Sequence, residues 1–322
     1  MAKRTKFPLW GASLVLVAVV AAAGLPAISA QAQPTIATPD YVAPERWSVR
    51  GEGVDLRVWV RRPEKPIAAV LFVHGRTWSA LPNFDLNVPG ENVSVLRSFA
   101  SRGFAAYAMD LPGYGETPRG ASGMLSPQEA ARAVRAVLTA IEAREKVKPV
   151  LVGYSRGSQV ALLTSATYPD SHSMLVLYGF PGLGYASQPG APLAPAGPRR
   201  APTTLAAAAS DFIVQDAASP AVVEAYAKAA VKADPVRMDW EREEVFATVD
   251  PSLVKAPTLL LQGVSDPIAV TERQAVVFAR LGTQARGWTV LPGADHAAHV
   301  ERAHGAWVAA IIDFFELNGG RR

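Results

Sequence analysis

The residue of this chain best suited to do chemistry is Ser155, which lies at the centre of a Gly-x-Ser-x-Gly pentapeptide. A short apolar run precedes Gly153, and an amphipathic segment follows Gly157. A strand, a sharp turn and a helix in this order present a serine hydroxyl at a sheet edge, and the two glycines let neighbouring backbone pack closely. The start of the helix also favours developing negative charge. We therefore predict that Ser155 is a nucleophile; the alternative is a serine that only caps a helix.

The elements that must position Ser155 alternate between strands and helices. Apolar runs predict strands covered on both faces, and one earlier segment alternates between apolar and polar residues. A capping box at Ser126 and Glu129 begins one helix, and a second helix should run from about Val300 to Leu317 and dock through Trp307. This alternation predicts an α/β fold with a mainly parallel sheet and helices on both faces. The predicted strands are Val54–Arg61, Ile67–Val73, Phe104–Met109, Val150–Val152, Met174–Tyr178, Thr258–Leu261 and Trp288–Leu291.

One long region interrupts this alternation. Residues 181–257 contain no buried-strand pattern, begin with a stretch rich in proline and glycine, and include a predicted helix from Pro220 to about Val231. An insertion at the end of a strand in an open α/β sheet lies over the ligand crevice. We favour a helical lid or cap over a surface excursion with no role. The predicted core is then 46–180 with 258–322.

The chain resembles the α/β-hydrolase superfamily over roughly residues 50–318. Besides the Ser155 pentapeptide, the run Leu-Phe-Val-His-Gly ending at Gly75 resembles the strand and turn that supply half of the oxyanion hole in that family. The run from Asp110 to Thr117 is similar to the family's D-x-x-G-x-G-x-S turn, with threonine in place of serine. That turn is structural in the family, so Asp110 is not expected to be catalytic.

The resemblance also implies a base and an acid, in the family order Ser, Asp, His. His296 follows a Gly-Ala-Asp turn after the last predicted strand, and Asp266 follows an earlier one. His296 would take the serine proton, and Asp266 would hold the ring and stabilise imidazolium. His299 is the alternative base. Asp295 is the alternative acid, although neighbouring side chains diverge.

The other candidate residues have structural interpretations. Asp250 is a weaker alternative acid that we expect to cap a local turn. Among the five histidines, His74 should make a local hydrogen bond, His172 should lie at the surface, and His304 should lie on the final helix.

Two backbone N–H groups are the predicted oxyanion donors, those of Arg76 and Arg156. The Arg156 side chain could meet an acidic lid residue or an anionic substrate, and we favour an ion pair to the body of the protein. Trp78, Phe84 and Tyr154 could line a substrate pocket or belong to the core.

Composition excludes several classes of function. Of the 322 residues, 49% are hydrophobic, which excludes disorder as the main state. The absence of cysteine excludes disulfides, thiolate catalysis and cysteine-bound metals. No His-Glu-x-x-His cluster is present, so we expect no catalytic metal. Ester hydrolysis through an acyl-serine intermediate needs no cofactor, so we expect none. The net charge of +4 comes mostly from three basic residues near the start, so we expect no nucleic-acid partner.

The N-terminus is typical of an export signal. Within residues 1–32, three positive charges precede an uncharged stretch from Pro8 to Ala30, Pro26 would break a helix, and a small-x-small cleavage site ends at Ala32. We predict a cleaved signal peptide and then an extended tether over 33–45, with the protein secreted or periplasmic. The alternative is an uncleaved membrane anchor with the bulk of the protein facing outside.

These inferences predict a serine hydrolase that cleaves a small-molecule carboxylic ester through an acyl-serine intermediate. The resemblance alone leaves lactone, amide or peptide, carbon–carbon and cofactor-free perhydrolase chemistry open, because fold does not determine substrate. A further alternative is a catalytically idle binding protein with the same fold.

Overall fold

The computed structural model describes residues 42–184 and 199–319, and its centre is an eight-stranded sheet in the order β1-β2-β4-β3-β6-β7-β9-β10. The sheet is antiparallel at β1, β2 and β4 and parallel elsewhere, and β5 and β8 form a separate parallel pair. The strands are β1 (Glu45–Gly51), β2 (Val54–Arg61), β3 (Ala68–Val73), β4 (Phe104–Met109), β5 (Met124–Leu125), β6 (Val150–Tyr154), β7 (Met174–Tyr178), β8 (Asp239–Trp240), β9 (Thr258–Gly263) and β10 (Arg286–Leu291).

The predicted mainly parallel sheet is confirmed, and the apolar runs explain it. Every residue of β3, β4, β6, β7 and β9 is buried, as a sheet covered on both faces requires. The sequence did not predict β1, whose charged residues are largely exposed at the sheet edge. Glu52 and Gly53, both with positive φ (49° and 77°), turn the chain from β1 into β2. Positive φ at both central residues is typical of a tight two-residue hairpin turn.

Helices cover both faces of the sheet. The predicted capping box at Ser126 is present, and the last helix begins four residues later than expected because Ala298–Val300 forms its own 3₁₀ turn. The helices are α1 (Ala80–Phe84), α2 (Val95–Ala100), α3 (Pro127–Glu145), α4 (Arg156–Thr167), α5 (Leu205–Ala209), α6 (Pro220–Ala233), α7 (Thr271–Arg280) and α8 (His304–Leu317).

Neighbouring residues of one strand enter opposite layers of the core. Leu71 and Leu151 pair across β3 and β6 and pack in the layer that holds α3 and α4. Phe72 and Val152, the next pair, face the opposite layer with α2 and α8, where Trp307 is fully buried. The period of two along each strand thus assigns side chains to two layers.

The described part of the 181–257 segment combines two helices with a short strand, 3₁₀ turns and irregular stretches. It contains α5, α6, the short strand β8 and 3₁₀ turns at Glu243–Thr248 and Pro251–Leu253. Helix α6 buries Val222 and Tyr226 in a cluster with Trp78 and Leu86 of the core. The predicted signal peptide lies outside the described residues, as do residues 33–41 of the predicted tether, whose last residue, Glu45, begins β1. Within the two described ranges, no helix is both long enough and apolar enough to cross a membrane.

Candidate active site

Ser155 lies on a strained turn between β6 and α4. Its backbone has φ +53° and ψ −120°, a region that residues other than glycine rarely adopt. A Cβ atom on Gly153 would lie 2.3 Å from the carbonyl oxygen of Gly157. One on Gly157 would lie 2.3 Å from the carbonyl oxygen of Val73. Both glycines of the pentapeptide are therefore required by close backbone contact, as the sequence predicted.

Ser155 opens into a cavity of about 190 Å³ that His296 also lines. The structure gives no direct hydrogen bond between the Ser155 hydroxyl and the His296 ring, although both groups reach the same space. Catalytic hydrogen bonds are often loose without substrate. The lining residues are Gly75, Arg76, Thr77, Trp78, Asn83, Tyr154, Ser155, Arg156, Pro181, Asp211, Ile268 and His296.

Asp266 holds the His296 ring. The Nδ1 atom of His296 lies 2.8 Å from Oδ2 of Asp266, and Oδ1 of Asp266 accepts the backbone N–H groups of Ile268 and Ala269. Burial raises the pKa of Asp266, but the hydrogen bond and charge of His296 outweigh it, so the pKa is lowered and the group stays ionised. Gly179 packs against the ring, where a Cβ atom would lie 2.9 Å from His296 Cε1. The arrangement leaves the Nε2 side of the ring available to take a proton.

His299, the alternative base, is buried away from the cavity. It is 1% exposed, and its Nδ1 atom lies 3.2 Å from the Tyr178 hydroxyl. Burial lowers its pKa well below the usual value for histidine. The ring packs against Tyr154 and Trp307. The structure therefore brings His296, and not His299, to the cavity with Ser155.

His74 orients the loop that follows β3. Its Nε2 atom accepts the backbone N–H of Leu111 at 3.1 Å, so its Nδ1 carries the hydrogen and donates to the Gly75 carbonyl at 2.8 Å. Burial lowers the pKa of His74 to about 4, which keeps the ring neutral at pH 7. Carbonyl and N–H point in opposite directions across a trans peptide. His74 thereby sets the direction of the Arg76 N–H, one of the two predicted oxyanion donors.

The prediction for His172 is wrong, and that for His304 is confirmed. His172 is only 4% exposed, because the hydroxyl groups of Ser165 and Ser171 hydrogen-bond its two ring nitrogens at 3.0 Å. His304 is the first residue of α8, and its Nε2 atom lies 2.7 Å from the Ser98 hydroxyl. Both rings have all their hydrogen-bonding capacity within the core, so neither is available to a substrate.

Asp295 connects the histidine loop to the 181–257 segment instead of contacting the His296 ring. Its Oδ2 atom accepts the N–H groups of Ile213 (2.7 Å) and Val214 (2.6 Å), and Oδ1 accepts the N–H of Ala297 (2.9 Å). Asp250, the weaker alternative, caps a 3₁₀ turn as predicted. The structure thus places Asp266, of the three candidates, on the histidine.

Glu301 is buried beside Asp295, and this pair leads to a prediction about pH. Burial, and then the neighbouring Asp295, raise the pKa of Glu301 to about 9. Because this folded-state pKa exceeds the unfolded value, the contribution of Glu301 to stability is complete below about pH 4.5 and is lost as pH rises towards 9. The glutamine of Glu301→Gln cannot ionise. The free energy of unfolding of this variant, relative to that of wild type, should therefore rise by several kcal/mol between pH 5 and pH 9, at about 1.4 kcal/mol per pKa unit.

Urea unfolding at the two pH values measures this difference. Glu272→Gln, at an exposed position of α7, is the control and should show the same stability difference from wild type at both. A Glu301→Gln difference that does not change with pH would contradict the prediction.

A carboxylate of the 181–257 segment joins both predicted oxyanion residues. The Glu243 oxygens accept from Arg76 at 2.5 and 2.7 Å, and Glu243 also pairs with the Arg156 guanidinium. That guanidinium lies 5.7 Å from the Trp240 ring and 5.0 Å from the Phe246 ring. Burial raises the pKa of Glu243, but the two arginines outweigh it and lower the pKa. The ion pair that we favoured, to the body of the protein, is wrong; the partner comes from the insertion.

The structure also divides the predicted pocket residues and adds one that sequence reasoning missed. Trp78 and Tyr154 line the cavity, whereas Phe84 packs in the core against Phe72. Asp211 reaches the cavity from the loop after α5, and its Oδ2 atom accepts from the Tyr226 hydroxyl at 3.2 Å. Burial raises the pKa of Asp211. No motif surrounds this residue, so nothing in the sequence could have assigned it to the site.

Within residues 42–184 and 199–319, no group of three histidine or acidic side chains is arranged to hold a metal ion. The cavity brings together a serine hydroxyl, an imidazole with its carboxylate, two arginines and the Asp211 carboxyl.

Comparisons with known proteins agree with this fold. The family model described as serine aminopeptidase, S33, matches residues 64–303, more than half of the chain. A comparison with curated proteins found no match. Among solved structures, the thioesterase domain from the curacin biosynthetic pathway has a TM-score of 0.62 and 17% identity, over 84% of this chain and 100% of that one.

Two other solved structures are similar. A membrane phospholipase A has a TM-score of 0.61 and 19% identity, covering 86% of this chain and 87% of its own. A putative lipase from Acinetobacter baumannii AYE has a TM-score of 0.57 and 17% identity, covering 86% of this chain and 92% of its own. At these identities the similarity establishes the fold and nothing finer.

Proposed function

This chain belongs to the serine aminopeptidase S33 family and is a hydrolase of the α/β-hydrolase superfamily, and from that premise we propose that it cleaves carboxylic esters through an acyl-serine intermediate. The observation that carries the proposal is the convergence of two side chains on one cavity. Ser155 reaches it from a strained turn, and His296, hydrogen-bonded to Asp266 at 2.8 Å, reaches it from the loop after β10.

The proposed reaction uses only residues of this chain and water. The Ser155 hydroxyl attacks the ester carbonyl while His296 takes its proton, and Asp266 stabilises the imidazolium that forms. The oxyanion accepts hydrogen bonds from the backbone N–H groups of Arg156, at the first position of α4, and Arg76. His296 returns the proton to the leaving alcohol. Water activated by the same ring then releases the acid and restores Ser155.

A second candidate function is amide or peptide cleavage by the same residues, and Asp211 is the observation that favours it. This carboxyl lines the cavity together with Ser155 and His296. An ionised carboxylate in a partly desolvated cavity pairs well with an amino group of a substrate. The raised pKa of Asp211 works against this role, because it favours the neutral form. We therefore keep the ester as the first candidate.

Side-by-side turnover of short p-nitrophenyl esters and aminoacyl p-nitroanilides separates the two functions. We expect faster turnover of the esters, and we expect Asp211→Asn to leave the KM for an uncharged ester within about threefold. Faster anilide cleavage, with an anilide KM that rises at least tenfold in Asp211→Asn, would replace the esterase proposal by the peptidase.

We also propose that the enzyme is exported, on the strength of the leader-like residues 1–32. N-terminal sequencing of exported material should then begin near Gln33. Retention of Met1 in a membrane fraction would favour the anchored alternative.

A further inference from the structure

The two residues whose backbone N–H groups receive the oxyanion in our proposal are also joined through their side chains. Arg76 lies in the loop after β3, Arg156 begins α4, and both guanidinium groups bind Glu243, which comes from the 181–257 segment. We propose that Glu243 is a positioning residue, which holds the two oxyanion donors in their reactive geometry. This inference rests on the proposed serine hydrolase chemistry.

The geometry makes Glu243 a rigid link and not a loose surface pair. Arg76 donates to both carboxylate oxygens, a bidentate pairing that fixes orientation as well as distance. Arg156 donates to one of the same oxygens, and its other terminal nitrogen donates to Gln159 Oε1 at 2.7 Å. The Arg156 side chain is only 4% exposed. Because one end of the link is buried and packed, it can hold the more exposed Arg76 in place.

A second connection from the insertion supports the same loop. Trp240, in β8, donates its indole N–H to the Tyr114 hydroxyl at 2.8 Å, and that hydroxyl donates to the backbone carbonyl of Arg76. The His74 ring binds the Gly75 carbonyl, so side-chain hydrogen bonds hold the peptide groups on both sides of Arg76. The insertion therefore contacts the Arg76 guanidinium directly, through Glu243, and is linked to the Arg76 backbone indirectly, by way of Tyr114.

Charge explains why a carboxylate is needed at this point. Two guanidinium groups that reach the same oxygen atom would repel one another without an anion between them. Removing one partner of a buried charge pair leaves the other uncompensated, which displaces it. In Glu243→Gln we therefore expect Arg76 to move away from Arg156 and to carry its N–H out of line with the oxyanion. Oxyanion donors act only when they are in place before charge develops.

The test compares Glu243→Gln with Glu244→Gln, the matched change at the exposed neighbouring position. The first readout is the rate at which a fluorophosphonate labels Ser155, because its phosphonyl oxygen enters the oxyanion site whatever the natural substrate. The second is the split between kcat and KM on a p-nitrophenyl ester. We expect the labelling rate and kcat of Glu243→Gln to fall roughly 10- to 100-fold, less than the ~10²–10³ for loss of a donor. KM should stay within about threefold, and Glu244→Gln should match wild type.

Several outcomes would overturn the proposal. Unchanged labelling and kcat in a folded Glu243→Gln variant would show that the ion pair only attaches the insertion to the core. A rise in KM with kcat unchanged would show the same. If Glu243→Gln does not fold, Arg76→Met provides the same comparison from the other side of the pair, and an unchanged labelling rate there would also refute it. A wild type that is not labelled would instead overturn the proposed function, and the positioning role with it. Normal labelling of the wild type without ester turnover would refute only the ester as the substrate.

Discussion

Ser155→Ala should abolish turnover of p-nitrophenyl esters, with kcat lower by roughly 10⁴- to 10⁶-fold. The variant keeps the cavity and both predicted oxyanion donors but has no atom that can form the acyl-enzyme. The φ of +53° at position 155 is as unfavourable for alanine as for serine, because both residues carry a Cβ atom. We therefore expect a thermal midpoint within a few degrees of wild type. Steady-state kinetics and thermal unfolding measure the two quantities.

The labelling experiment also distinguishes an enzyme from a binding protein with an idle site. Wild type should react with the fluorophosphonate and Ser155→Ala should not, while Ser101→Ala, at the exposed end of α2, should react like wild type. A folded wild type that stays unlabelled would refute the enzyme proposal and leave the binding-protein alternative. Labelling that persists in Ser155→Ala would place the nucleophile elsewhere.

Asp266→Asn should lower kcat by about 10⁴-fold while leaving stability nearly unchanged. An asparagine oxygen can still accept the N–H groups of Ile268 and Ala269, so the local turn should survive. The amide NH₂ would instead face Nδ1 of His296 and stabilise the tautomer in which Nε2 carries the hydrogen. That ring cannot accept the serine proton. A pH profile of kcat together with urea unfolding tests both halves of the prediction.

Asp295→Asn is the contrasting variant, and the structure refines what to expect of it. From the sequence alone the change should do little. The structure shows Asp295 accepting three backbone N–H groups, two of them from the 181–257 segment. We now expect Asp295→Asn to lower stability by about 1–3 kcal/mol, the cost of an unsatisfied buried donor, with kcat within about tenfold of wild type. A larger loss of kcat in Asp295→Asn than in Asp266→Asn would reassign the acid.

Local patterns in the sequence were sufficient wherever the physics is local. The turn at Ser155 depends on glycines two residues away, and the capping box at Ser126 depends on a carboxylate three residues away. The buried strands depend on unbroken apolar runs. By contrast, β1 was missed because this edge strand has only a short alternation, with Trp47 and Val49 facing the core between exposed polar residues.

Tertiary structure alone decided which distant polar groups meet. The surface position expected for His172 was wrong because two serine hydroxyls bind its ring in the core. The partner of Arg156, Glu243, lies 87 residues away in the chain, and Asp211 reaches the cavity from the same insertion. An ion pair or a cavity wall leaves no periodic trace, because its energy depends on separation in space and not on spacing along the chain. The sequence by itself therefore determined the sheet and the serine turn, whereas the folded insertion decided which charges surround that serine.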